Sequence, residues 1–111
     1  MVVYLITRHP GSLDWLKNRF GEPVVYREHL DHIQQIKQGD TVVGTLPVNL
    51  IAEVCNRGAR YWHLEISIPQ SLRGKELTVQ QLHELGAELV EYVAYRPCSQ
   101  QQIMQHEERE A

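Results

Sequence analysis

An arginine and a histidine stand side by side at positions 8 and 9, directly after an apolar run and directly before Pro10-Gly11-Ser12. Arg8 is a permanent cation whose planar fork suits phosphate oxygens. Histidine is the side chain that takes up and releases a proton near neutral pH, which makes His9 a candidate for proton transfer. Two further polar segments follow apolar runs in the same way: Gly44-Thr45-Leu46-Pro47-Val48-Asn49, and a loop carrying Arg73 and Lys75. Residues of these types point to a phosphate-bearing ligand. A plainer reading stands beside each. An Arg-His pair after a strand is ordinarily a solvated turn, and Ser12 and Thr45 serve equally well as helix caps.

His29 and His32 sit three apart with Asp31 between them, a spacing that raises the question of a metal. A zinc or transition-metal site needs at least three well-placed ligands, and no carboxylate or cysteine cluster supplies the rest, so surface histidines are the expectation. His63 falls on what should be the wetter side of a strand, and His83 and His106 read as surface residues. The chain has no Walker A pattern, no G-x-G-x-x-G, no G-x-S-x-G and no C-x-x-C. Kinase, dehydrogenase, hydrolase and thioredoxin readings therefore find no support, and no cofactor is expected.

The elements that must position these residues follow from the apolar pattern. Val2 to Ile6 reads as a buried strand ending in a polar turn. Ser12 then caps a helix marked by Leu13, Leu16 and Phe20 and closed by Gly21, with Pro23 beyond. Val24-Val25-Tyr26 is a second strand. Asp31 to Gln38 holds one or two helical turns, with Asp31 as cap and Gly39 as stop. Thr41 to Thr45 is a third strand, and Pro47 opens a helix with Leu50, Ile51, Val54 and Cys55 on its apolar side, ended by Arg57-Gly58. Tyr61 to Ile68 is a fourth strand, with Tyr61, His63, Glu65 and Ser67 facing one way and Trp62, Leu64, Ile66 and Ile68 the other. Its alternation fits a sheet edge with one less covered face. Thr78 and Gln81 form a capping box, and Leu77 and Leu82 a hydrophobic staple, for a last helix with Leu85, Leu89 and Val93 in its stripe. Pro97 ends it.

Strands alternating with helices imply an α/β fold: a small Rossmann-like, mostly parallel four-stranded sheet with flanking helices over residues 1–96. Residues 97–111 form a polar tail. In such sheets ligands bind beyond the carboxyl ends of the strands. That rule selects residues 7–12, 44–49 and the Arg73 loop, and the first two lead into helix N-termini that favour phosphate.

The chain has 111 residues, room for one domain. It has no apolar run of the ~18 residues that a membrane span needs. The N-terminus has no basic leader or cleavage site, so no signal peptide is expected and the cytosol is the default. Cys55, on the apolar side of a helix, reads as a buried free thiol, and Cys98 lies in the tail; neither argues for a disulfide or zinc. With 11 Lys and Arg against 14 Asp and Glu, the net charge is -3. A protein that tracks a long nucleic-acid backbone carries a strongly basic face. A polyanionic ligand here should instead be small and held by a few local cations.

Four blocks carry a resemblance: Val3 to Gly11 with Trp15-Leu16, Gly39 to Leu50, Ala52 to Leu64, and Arg73 to Leu77. Together they resemble the small CRISPR-associated Csx family numbered sixteen over most of residues 2–95. The family accompanies type III CRISPR systems, whose signal is a cyclic oligoadenylate. The resemblance implies a CARF-like fold, a homodimer and a ring nuclease that cuts cyclic tetra-adenylate without metal, leaving 2′,3′-cyclic phosphate ends and switching off antiviral signalling. It implies no cofactor, no long nucleic acid and no membrane partner. His9 would transfer the proton and Arg8 would meet the growing phosphoryl charge. Amides near Gly11 and Ser12, beside Thr7, would cradle that phosphate, while Thr45, Asn49 and Arg73 would position the neighbouring nucleotide. Asn49 stands where a histidine would be expected. The alternatives are a non-catalytic binder of the cyclic nucleotide, a sensor or sponge, and an adaptor to a CRISPR partner.

Overall fold

The structure, a computed structural model, describes residues 1–17, 19–20 and 24–97. In chain order the elements are β1 (Val3–Ile6), α1 (Pro10–Lys17), β2 (Val24–Arg27), a 3₁₀ turn (Ile33–Gln35), β3 (Thr41–Gly44), α2 (Val48–Asn56), β4 (Arg60–Glu65), a second 3₁₀ turn (Gln70–Leu72), α3 (Val79–Glu84) and β5 (Glu88–Tyr92). The strands form one sheet in the order β2-β1-β3-β4-β5. The first four are parallel, and β5 runs antiparallel to β4. The α/β class and the mostly parallel sheet are as the sequence indicates, but the strands number five among the described residues.

Alternate residues of the central strands feed two cores. Tyr4, Ile6, Val42 and Tyr61 meet Ile51 and Val54 of α2 and Ile36 on one face. Leu5, Val43 and Leu64 meet Trp15 and Leu16 of α1 and Leu82 of α3 on the other. The sheet is therefore covered on both sides, which is why its inner strands are almost continuously apolar. Asp40 is the one buried charged side chain among the described residues. Its two carboxylate oxygens accept the Val2 and Lys37 amides, each at 3.0 Å, and brace the entry to β3.

Several local expectations change. Helix α1 begins at Pro10, and its Leu13 N–H already donates to the His9 carbonyl at 3.0 Å. Ser12 thus lies inside the first turn and is not its cap. The 3₁₀ turn at Ile33 has His32, not Asp31, at its cap position and no side-chain cap bond. Pro47 holds the cap position of α2, so Thr45 does not cap it. The Thr78–Gln81 capping box is present, with bonds of 3.1 and 2.9 Å. Leu77 and Leu82 pack into the same core, as the staple requires. Gly21, Pro23, Cys98, His106 and the tail from Ser99 lie outside the described residues.

The largest correction concerns the last helix, expected to run to Pro97: it ends at Glu84, and Glu88–Tyr92 is a strand. Gly86 takes φ +74°, the left-handed conformation that ends a helix, and Glu88–Tyr92 then pairs with β4. Arg60 clasps Glu91 with two bonds of 2.6 and 2.8 Å, and this pair draws the Glu91 carboxyl below its ordinary range. β4 is therefore not the edge. Tyr61, placed by its alternation on the wetter side, is fully buried.

Candidate functional site

The strand order makes a site before any side chain is considered. From β1 the chain leaves through α1 on one face, and from β3 it leaves through α2 on the other. Between the carboxyl ends of these two neighbours lies the switch point where open α/β sheets bind ligands. Ile6 and Gly44 end the two strands in register, so Thr7 and Thr45 are the first residues past them.

Two hollows flank this ridge and share Ile6, Thr7, His9 and Thr45. On the α1/α3 side is a mainly apolar cavity of about 190 Å³, with Ser12 and Lys75 among the residues that line it. On the α2 side is a broader, more polar hollow of about 530 Å³, bordered by Arg8, Glu28, His29 and Asp31. Thr7 shapes the turn: its N–H donates to the Arg27 carbonyl at 3.0 Å, and its Oγ1 accepts the His9 amide at 3.1 Å. That bond sets His9 at the helix entrance.

His9 is not a free surface imidazole. Its Nδ1 lies 3.1 and 3.2 Å from the two carboxylate oxygens of Glu76. A carboxylate accepts only, so Nδ1 carries a proton, and in the neutral ring Nε2 is the nitrogen that keeps its lone pair. Histidine and glutamate are 47% and 66% exposed, so the pair adds little to stability. Its consequence is orientation of the ring. Among the described residues, the Arg8 guanidinium and the Lys75 ammonium have no side-chain partner, which leaves two cations beside the ridge for an anion.

The ridge is backed by Tyr61. Its hydroxyl accepts the Leu46 amide at 2.9 Å, lies 2.9 Å from the Gly44 carbonyl and 2.6 Å from Nδ1 of His63. One phenol thus ties the end of β3 to the loop that carries Thr45. Burial pushes the phenol up to about 12, against the pull of the Leu46 amide in the other direction. His63 is therefore part of this brace and does not face water on an open strand.

The expected site residues divide. Thr7, Arg8, His9, Ser12 and Thr45 converge on the switch point. Asn49, exposed on the first turn of α2, and Arg73, exposed after the second 3₁₀ turn, border neither hollow. Lys75 takes the place expected of Arg73. Gly11 faces the chain at Leu77, where an added Cβ would come within 1.8 Å of the Leu77 carbonyl oxygen, so close packing of α1 accounts for this glycine. Glu76 was missed: 67 residues separate it from His9, and only the fold brings them together. His29 and His32 are exposed, as expected of surface histidines, and His29 borders the polar hollow together with Asp31. Among the described residues no three His, Cys, Asp or Glu side chains gather as a metal site would require.

Residues 4–95 match the family model described as "Putative CRISPR-associated protein (Cas_VVA1548)". The chain belongs to this family. The match runs through every residue that borders the two hollows, so this CRISPR-associated chain carries its whole switch-point site inside the family region. No curated protein and no solved structure matches it. Among the described residues, no helix is long and apolar enough to cross a membrane.

Proposed function

We propose that the chain is a type III CRISPR ring nuclease of the Csx family numbered sixteen, which binds cyclic tetra-adenylate and cleaves it without metal to linear products. The observation that carries this is His9, oriented by Glu76 at the lip between two hollows, with Arg8 and Lys75 unengaged on either side. Membership of a CRISPR-associated family supports the setting. The net charge of -3 favours a compact polyanion held by local cations.

In the proposed reaction the ribose 2′-oxygen attacks its own phosphate in line. A bond forms from that oxygen to phosphorus, and the bond from phosphorus to the 5′-oxygen of the next nucleotide breaks. Nε2 of neutral His9 takes the 2′ proton and later returns it to solvent, while the departing 5′-oxygen takes a proton from water, leaving a 2′,3′-cyclic phosphate and a free 5′-hydroxyl. Arg8 lies opposite the charge gathering on the phosphoryl oxygens, and the Gly11 and Ser12 amides of the first turn of α1 add their dipoles. Holding the 2′-oxygen in line supplies up to ~7–11 kcal/mol of the barrier reduction in favourable cases.

Incubation of the purified chain with cyclic tetra-adenylate in EDTA, followed by chromatography, tests the proposal. Linear products are expected; an intact ring at excess enzyme would falsify it. Retained binding without cleavage would favour the sponge.

A further inference from the structure

We propose that the 190 Å³ cavity between β1, α1 and α3 is a base pocket: it takes one adenine ring system, while ribose and phosphate stay at its mouth. The assignment deepens the ring-nuclease proposal and rests on it for the identity of the ligand.

Size decides how much of a nucleotide enters. An apolar cavity of ~150 Å³ takes up benzene, whereas pockets that enclose whole drug-sized ligands run to ~300–1,000 Å³. At about 190 Å³ there is room for one flat aromatic unit and not for its sugar. Chemistry agrees. The walls are hydrocarbon, with half-buried Ile66, Ile68 and Leu77 around a floor of buried core leucines. Such walls suit the two faces of a base and would leave a phosphate or a ribose hydroxyl without partners. Polar side chains line it too, and the exposed ones, His9, Thr45 and Lys75, mark its mouth: the Thr7, Ser12 and Thr45 hydroxyls can pair with a base edge, and Lys75 can meet the phosphate left outside.

The geometry also fits the chemistry next door. A base inserted on the α1/α3 side places its own ribose and 3′-phosphate over the ridge at His9. The following nucleotide then falls toward Arg8 and the larger polar hollow. The cavity thereby selects which phosphate lies in line for attack.

Methyl NMR of the full chain, titrated with adenosine 5′-monophosphate and separately with ribose 5-phosphate, tests this directly. The nucleotide should shift the Ile66, Ile68 and Leu77 methyls, and the base-less probe should leave all three in place. Shifts confined to Leu46 and Leu50 at the polar hollow, or none at the three methyls, would overturn the base pocket. In an Ile68→Trp variant that keeps its cooperative melt, KM for the cyclic ring should rise about tenfold or more with little change in kcat; an unchanged KM also overturns it. A chain that cuts the ring without methyl shifts refutes the pocket alone. A chain that leaves the ring whole refutes the nuclease, and methyl shifts with the monophosphate then still identify the base pocket.

Discussion

A histidine at the mouth of a pocket acquires a direction from what holds its other nitrogen. With Nδ1 committed to Glu76, Nε2 is the nitrogen of a neutral His9 ring that can take a substrate proton. His9→Ala should lower kcat for ring cleavage by roughly 10²- to 10⁴-fold while binding changes little. Arg8→Ala should weaken binding and cleavage together. Glu76→Ala should lower kcat by roughly tenfold, less than loss of the imidazole itself, with KM and melting temperature unchanged because an exposed pair contributes only ~0–1 kcal/mol. Wild-type turnover in His9→Ala would remove it from the mechanism. Tyr61 yields a pH prediction. The folded phenol titrates at about 12 and the unfolded one at 10.0, so its contribution is complete below the lower value. That stability is lost as pH rises toward the upper one. Tyr61→Phe should abolish this alkaline limb, and at neutral pH it should cost ~1–3 kcal/mol because the Leu46 amide loses its acceptor. Urea unfolding of both proteins at neutral and alkaline pH gives the comparison; identical alkaline limbs would refute it.

At the scale of elements, two glycines separate what a sequence declares from what it conceals. Gly86 has open space around the position of an added Cβ, yet sits at φ +74°, so Gly86→Ala should cost ~1–2 kcal/mol through the backbone alone. Gly11 sits in a helix, but its Cβ would strike the Leu77 carbonyl, so Gly11→Ala should cost about 3 kcal/mol or more. It should also depress cleavage by parting α1 from the cavity mouth, which Gly86→Ala should not do. Denaturation and cleavage measured on both variants check this pair, and equal losses would refute it. Strands β1, β3 and β4 and the α3 capping box were legible because each depends on neighbouring residues. Strand β5 was not. Leu85, Leu89 and Val93 repeat at helical spacing, while the stop at Gly86 and the pairing with β4 outweigh that pattern. The same distinction runs through the site. Thr7, Arg8, His9 and Thr45 were found because they follow strands, whereas Glu76 and the burial of Tyr61 depend on contacts distant in sequence.

For the molecule as a whole, charge sets which kind of polyanion the proposed function can involve. Eleven basic residues against 14 acidic ones leave no surplus of cations to follow a backbone. The ridge offers Arg8 and Lys75, with His9 between them. Releasing counterions from about 2–4 phosphates gives a slope of log K against log salt of roughly -1.4 to -2.8, using the single-strand coefficient. Binding of cyclic tetra-adenylate measured across a salt series should fall in that range, and a long adenylate strand should compete poorly, since its remaining phosphates would face a net negative surface. If the proposed two-fold dimer forms around the ring, the same titrations should saturate at one ring for two chains, each copy presenting its own switch point to one half of the ligand. A slope steeper than about -5 would mean that many more cations are engaged than the ridge supplies. The ligand would then be an extended polymer lying over a surface, and neither the base pocket nor the orientation of His9 would explain how it is held.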